Sequence, residues 1–220
     1  MLRDVVTFCL ISFSAVFFVV DPFAAVPIFL AMTPDDSADK RRRMALRACI
    51  AAGALLTTFA LLGAFIFKAL GITLGAFKIA GGILLLVMSI DALRTRSSPA
   101  RITDVEVAAG MAKDDIAIVP LAMPLLAGPG SIATVMVLMG RARGSNWWQV
   151  IPVLGSIAIT AIISYFVLAG ASRIDRVLGR TGMNVLERIA GLLLAAIAVQ
   201  FILDGALESL PGLASHPTLS

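Results

Sequence analysis

Long apolar runs separated by short charged stretches dominate the pattern of this chain. Residues 48–67, 73–93, 150–171 and 185–207 each hold one membrane crossing's worth of apolar helix, since roughly 20 such residues span the hydrocarbon layer of a bilayer. Two further runs, 5–30 and 116–139, are as apolar but interrupted. The later one reads I-A-I-V-P-L-A-M-P-L-L-A-G-P-G-S-I-A-T-V-M-V-L-M and carries no formal charge, yet it holds Pro120, Pro124 and Gly128-Pro129-Gly130. In the earlier one, residues 5–20 meet Asp21-Pro22 and continue as F-A-A-V-P-I-F-L. Each proline removes an amide donor and crowds the preceding turn, and glycine lowers the cost of leaving helical geometry. The pattern predicts an all-α integral membrane protein of six transmembrane helices, with helices 1 and 4 broken at their Pro/Gly motifs.

The two breaks occupy matching places. Setting Pro22 against Pro129 puts V-V-D-P-F-A-A-V-P over L-A-G-P-G-S-I-A-T, and K-I-A-G-G-I-L-L at 78–85 repeats as R-I-A-G-L-L-L-A at 188–195. The chain therefore divides into a first repeat (1–94), a polar linker (95–115), a second repeat (116–207) and a loose tail (208–220). Each repeat holds three spans, and an odd number inverts the second repeat relative to the first. A broken helix in lipid survives only where its freed carbonyls and amides are buried in protein or line a wet cavity. Paired breaks in inverted repeats point to a transport site.

Composition removes the soluble alternatives. Of 220 residues 59% are hydrophobic and 15% charged, and mean hydropathy is +0.97. The net charge of +4 lies in clusters between the apolar runs, so it reads as a topology signal and not as a nucleic-acid surface. Thirteen of the 18 lysines and arginines fall within 40–47, 94–113 and 173–188, which places those loops in the cytoplasm and both termini on the periplasmic side. Trp147 and Trp148 sit where an interfacial aromatic belt is expected, Lys78 is placed to snorkel to the interface, Thr33-Pro34 reads as a helix N-cap, and 172–184 reads as a short basic loop. Residues 5–20 lack a small-x-small cleavage site and have an internal repeat partner, so they read as a retained span and not a signal peptide.

Candidate chemistry is sparse. Cys9 and Cys49 lie in apolar runs and the single histidine, His216, lies in the tail, so no disulfide, metal site or cofactor is expected, and no enzyme. Gly128-Pro129-Gly130-Ser131 suits the start of a half-helix, whose free amides could hold a carboxylate, with the Ser131 and Thr134 hydroxyls one turn apart. Asp21 admits two readings: a proton-coupling carboxylate or acceptor for a substrate ammonium, and an N-cap for the half-helix that Pro22 begins. Asp91 and Asp204 fall in late turns of the third and sixth spans, either lining a vestibule or lying at the interface, and Asp91 joins Asp21 as a candidate for the coupling ion. Gly81-Gly82 and Ala190-Gly191 read as close helix contacts.

The segments D-P-F-A-A-V-P-I-F-L, K-I-A-G-G-I, P-L-A-M-P-L-L-A-G-P-G-S-I-A, E-R-I-A-G-L-L-L and V-Q-F-I-L-D-G together resemble the MarC family of bacterial inner-membrane proteins. The resemblance implies a six-span protein of the lysine-exporter-like superfamily, with at least one relative described as a transporter of small neutral amino acids. Its motif positions fall on Asp21, Pro22, Pro27, Pro120, Pro124, Gly128, Pro129 and Gly130; the chain departs at Phe23-Ala24-Ala25, where many members carry glycine. The expectation is a multi-pass secondary transporter of small neutral amino acids or similar zwitterions, working by alternating access between helices 1 and 4. Its partners would be the bilayer, a small-molecule substrate and H⁺ or Na⁺, with no nucleic acid and with a homo-oligomer left open. A passive pore and a non-transporting scaffold are the alternatives.

Overall fold

A computed structural model describes residues 2–34, 36–94, 117–145 and 147–209. The expected linker (95–115) and nearly all of the tail fall outside the described residues. Regular structure among the described residues is entirely helical. In chain order it comprises α1 (Leu2–Val20), α2 (Ala25–Met32), α3 (Ala38–Leu70), α4 (Leu74–Leu93), a π-helical segment (Ala117–Leu126), α5 (Pro129–Ser145), a 3-10 turn (Trp147–Gln149), α6 (Val150–Ala169) and α7 (Ala171–Ser209).

Among the described residues, five stretches are long and apolar enough to cross a membrane: Val5–Met32, Ala38–Leu70, Leu74–Leu93, Val150–Ala169 and Thr181–Ser209. The fourth predicted span is no single helix. It divides into the π-helical segment and α5 at Ala127-Gly128, so the break lies where the Gly-Pro-Gly triplet predicts it. The wide turns run on i→i+5 hydrogen bonds, such as Ala127 N donating to Ala122 O at 2.9 Å.

Three boundaries differ from expectation. The second helix begins at Ala38, ten residues before the apolar run, because Ser37 caps it by accepting from Lys40 N at 3.3 Å. Its basic cluster therefore forms the first turns of α3. Thr33 is not an N-cap; it ends α2, and its hydroxyl donates back to Phe29 O at 2.8 Å. The expected loop at 172–184 lies within the helix that begins at Ala171, with a break at Gly179 (φ 59°). The α3–α4 turn follows the sequence: Gly71 closes α3 in the left-handed region (φ 65°), and Thr73 caps α4 by accepting from Ala76 N at 3.1 Å.

The largest helix–helix contact joins α4 and α7. Small residues recur every seventh position on both: Gly75, Gly82 and Ser89 on α4, and Gly205, Ala198 and Gly191 on α7. A Cβ built at Gly205 would lie 2.6 Å from Gly75 O, one at Gly82 2.7 Å from Ala198 O, and one at Gly191 3.1 Å from Ser89 O. Ascending positions on one helix meet descending positions on the other, so the pair is antiparallel and its backbones touch. Close approach through small residues is how helices gain packing in lipid, where apolar side chains gain little by leaving the solvent.

The remaining helices surround a second core. Val16 and Val20 of α1, Phe29 of α2, Ala48 and Leu56 of α3, Leu121 and Leu126 of the π-helical segment and Ile157 of α6 are buried together. Ile50, Phe65, Ile83, Leu192 and other large apolar side chains point outward, as lipid allows and water does not.

Candidate functional site

Both breaks end on one cavity. Val20, the last residue of α1, and Leu126, the last of the π-helical segment, line a space of about 10 Å³ with Cys49 and Leu56 of α3 and Thr160 and Ser164 of α6. That is room for one water-sized occupant.

The hydroxyls here behave differently from others in the bundle. Buried serines and threonines in helices ordinarily donate to a carbonyl one turn back. Ser156, one turn earlier on α6, does so to Pro152 O at 2.7 Å, and Thr134 to Gly130 O at 2.9 Å. Thr160 and Ser164, 2% and 1% exposed, have no hydrogen-bond partner among the described residues. They lie four residues apart, so both face the cavity from consecutive turns. Ser12 of α1 is the other buried hydroxyl without a partner among the described residues.

At the first break the chain turns through an unusual residue. Asp21 is 5% exposed and sits in the left-handed region (φ 46°), which aspartate tolerates better than most side chains. Its Oδ1 accepts from Ala24 N at 3.3 Å, so it caps the turn that leads into α2. Pro22, buried beside it, has no amide to give, and the Phe18 carbonyl loses its i+4 donor. Asparagine at position 21 should hold the same conformation. Asp21→Val, with a β-branched side chain at positive φ, is expected to lower the thermal midpoint of the purified protein by an amount reflecting about 1–3 kcal/mol of strain, whereas Asp21→Asn leaves it near wild type.

The second break is packed more tightly than its glycines suggest. A Cβ at Gly130 would meet Met88 Sδ at 2.8 Å and Leu85 Cδ2 at 2.9 Å, so this glycine admits α4. Ser131 donates to Leu126 O at 3.2 Å and Thr134 to Gly130 O, which engages both hydroxyls within the break itself. Gly128 is buried, while Pro129 and Pro27 are exposed; the side chains of Pro120 and Pro124 fall outside the described residues. Asp91 sits half-buried near the end of α4 and is not among the residues lining the cavity.

One basic side chain departs from its expected role. Lys78 does not snorkel outward: it is 1% exposed and pairs with Glu208 at the far end of α7. Asp204, one turn before Glu208, pairs with Arg141 of α5 and accepts from Gln200 Nε2 at 2.7 Å. These two ion pairs fasten α4 and α5 to the C-terminal turns of α7.

A wider space opens where α3 begins. About 430 Å³ is enclosed by Arg41 and Arg42 of α3, Tyr165 and Leu168 of α6, and Ser172 and Arg173 of α7. Arg41 anchors its wall, donating from Nε and Nη2 to Thr33 O at 3.0 and 2.6 Å and from Nη1 to Ser172 Oγ at 2.9 Å. Vestibule and cavity lie along the same pair of helices, Arg42 to Cys49 on α3 and Leu168 to Ser164 on α6. Ala45 and Ala48 on α3 and Val167 and Leu168 on α6 are buried between them.

Thr160 and Ser164 were not among the residues singled out from the sequence, and Cys49 was read there only as a thiol in an apolar run. The available signal was two hydroxyls at i and i+4 in the otherwise apolar stretch I-T-A-I-I-S. Spacing alone does not distinguish them from Ser156, which bonds its own helix.

The chain matches the family model described as MarC family integral membrane protein over residues 6–210. It is 43% identical over 198 residues to a UPF0056 membrane protein of Methanocaldococcus jannaschii, covering 89% of this chain and 94% of the relative. It is 38% identical to a UPF0056 membrane protein of Aquifex aeolicus, covering 88% and 90%. It is 32% identical to the UPF0056 membrane protein YhcE of Escherichia coli, covering 91% and 93%. No solved structure matches the chain.

Proposed function

This chain belongs to the MarC family of integral membrane proteins, and on that footing we propose that it is a multi-pass secondary transporter of small neutral amino acids or similarly small zwitterions. It works by alternating access and is a carrier, not an enzyme. The observation that carries this reading is the convergence of both interrupted segments, through Val20 and Leu126, on one cavity inside the bundle. Discontinuous helices meeting at a central site are the arrangement by which carriers bind cargo without spending ionised side chains.

The α4–α7 contact supports an inverted repeat. Gly81 aligns with Gly191 in the sequence repeat. Gly191 meets Ser89, and the neighbouring Gly82 meets Ala198, which are within one residue of equivalent contacts with the two helices exchanged. An in-plane two-fold axis produces that reciprocity. The excess of basic residues near the start of α3 and the start of α7 supports a cytoplasmic vestibule, with the termini on the other face of a bacterial inner membrane. The vestibule admits a small metabolite. The central cavity, at about 10 Å³, does not in this conformation, so cargo reaches it only when helices move, which favours a carrier over an open pore.

Uptake of labelled glycine, alanine, serine and threonine into proteoliposomes, with imposed proton or sodium gradients, tests this. Saturable accumulation driven by a gradient is expected in wild type, with loss in Asp21→Asn despite an unchanged thermal midpoint. Equal flux with and without a gradient would replace the carrier by a pore, and absence of uptake for every amino acid would remove this substrate class.

A further inference from the structure

We propose that the vestibule between α3, α6 and α7 is a binding site for the phosphate headgroup of an anionic phospholipid, with Arg41, Arg42 and Arg173 as its cationic wall. The inference goes beyond the transporter reading and does not rest on it.

The charge of the lining is of one sign. Arg41, Arg42 and Arg173 line the space, and among the described residues no carboxylate does. The neighbouring acids Asp36, Asp39 and Asp175 are not among its lining residues, and Asp36 is spent on Lys40 at 2.7 Å. None of the three arginines forms an ion pair among the described residues. A cleft lined by one sign of charge concentrates ligands of the other.

One of the three guanidiniums is held in position in advance. Arg41 donates to Thr33 O from Nε and Nη2, to Pro34 O from Nη2 at 3.0 Å, and to Ser172 Oγ from Nη1 at 2.9 Å. All of those acceptors are neutral, so they fix the group without cancelling its charge. A guanidinium has five N–H donors, and the second hydrogen of Nη1 is left for a ligand. Ser172 accepts from Arg41 and keeps its own hydrogen for another acceptor. Arg42 and Arg173 lie exposed on different helices, free to close on a phosphate whose oxygens match the planar fork of arginine.

The apolar surface beside the arginines selects a lipid over a soluble anion. Phe166 lines the same space and is 67% exposed. Further along α6, away from the vestibule, Ile162 and Ile159 stand exposed, and on α3 Leu46 and Ile50 stand exposed one and two turns beyond Arg42. Residues at these spacings share a helix face, so an apolar stripe leads from the basic mouth along each helix. An amphiphile with its phosphate at the arginines lays its acyl chains on those stripes, whereas a free phosphate leaves them uncovered and a zwitterion brings no net charge to the arginines. About 430 Å³ is room for a headgroup, and basic pockets between membrane helices are where anionic headgroups lodge.

Native mass spectrometry of the purified full chain, released from a neutral detergent, counts bound lipids directly. Phosphatidylglycerol and phosphatidylcholine are titrated against wild type, the vestibule variant Arg42→Gln with Arg173→Gln, and a control, Arg43→Gln with Arg176→Gln. The control removes the same charge from the same two helices at exposed positions that do not line the space. Wild type is expected to bind its first phosphatidylglycerol about tenfold or more tightly than phosphatidylcholine, a preference lost in the vestibule variant and kept in the control. Arg42→Gln alone should show part of the loss and stands in if the double variant does not fold. Equal affinities for the two lipids in wild type, or equal losses in the two double variants, would overturn the site, the second by reducing it to general attraction at a basic rim. Glycerol phosphate, the headgroup chemistry without chains, is added to the wild-type complex at equal concentration and is expected to displace nothing; displacement would give the site to a soluble phosphate and overturn the lipid assignment. Each of these outcomes leaves the uptake test of the transporter reading standing.

Discussion

Gly205→Leu is expected to destroy the native packing of α4 on α7. A Cβ at this position would lie 2.6 Å from the Gly75 carbonyl oxygen and 3.0 Å from Ile79 N, both main-chain atoms that no rotamer change can move. Gly82 is comparable: its Cβ would stand 2.7 Å from Ala198 O and 3.1 Å from Ile202 N. Relief requires the two helices to separate, which removes contact along the whole seven-residue ladder of small residues. Overpacking a core costs about 1–3 kcal/mol per site where side chains can yield; here backbone must, so even alanine should lower the unfolding midpoint measurably and leucine should prevent a monodisperse preparation. Gly155 of α6 provides the control, since nothing lies within 4 Å of its Cβ position. Gly155→Ala should behave as wild type in the same thermal scan by size-exclusion fluorescence. If Gly205→Leu behaves like Gly155→Ala, the antiparallel register derived for α4 and α7 is wrong.

The second large effect concerns the Lys78–Glu208 pair, and its order is the reverse of what a count of charges suggests. The lysine is 1% exposed and the glutamate 47%. Glu208→Ala leaves an ammonium buried with its partner gone, a class of change that costs about 3–5 kcal/mol in fully buried pairs. The exposed glutamate puts this case at the lower end. Lys78→Met keeps the volume, removes the buried charge and leaves a carboxylate that water can reach, so it should be close to neutral. Chemical unfolding in detergent micelles should therefore rank Lys78→Met above Glu208→Ala. Equal losses in the two variants would show that the pair stabilises by mutual attraction and not by avoiding a stranded charge.

The fold was legible where its causes are local. Run lengths set by bilayer thickness located the helices, and the Gly-Pro-Gly triplet located the second break, because a missing amide acts within one turn. Gly81-Gly82 and Ala190-Gly191 were readable as contact faces, and Gly82 and Gly191 do meet the partner helix. Less legible were boundaries that polar residues decide: Ser37 starts α3 amid charged residues, and 172–184 is helical although its composition suits a loop. At those places helical propensity and capping outweigh hydropathy.

The sequence by itself determined a helical membrane protein, the positions of its two breaks and the clustering of its basic residues between the apolar runs. Each follows from composition or spacing within a few turns. Only the tertiary structure decided that Val20 and Leu126 meet at one cavity, that Thr160 and Ser164 face it without partners while Ser156 does not, that Gly130 receives α4, and that Lys78 ends on Glu208. Those facts depend on which helix faces come together between segments far apart in the chain. In an apolar span almost every face is hydrophobic, so periodicity carries little information about which one turns inward.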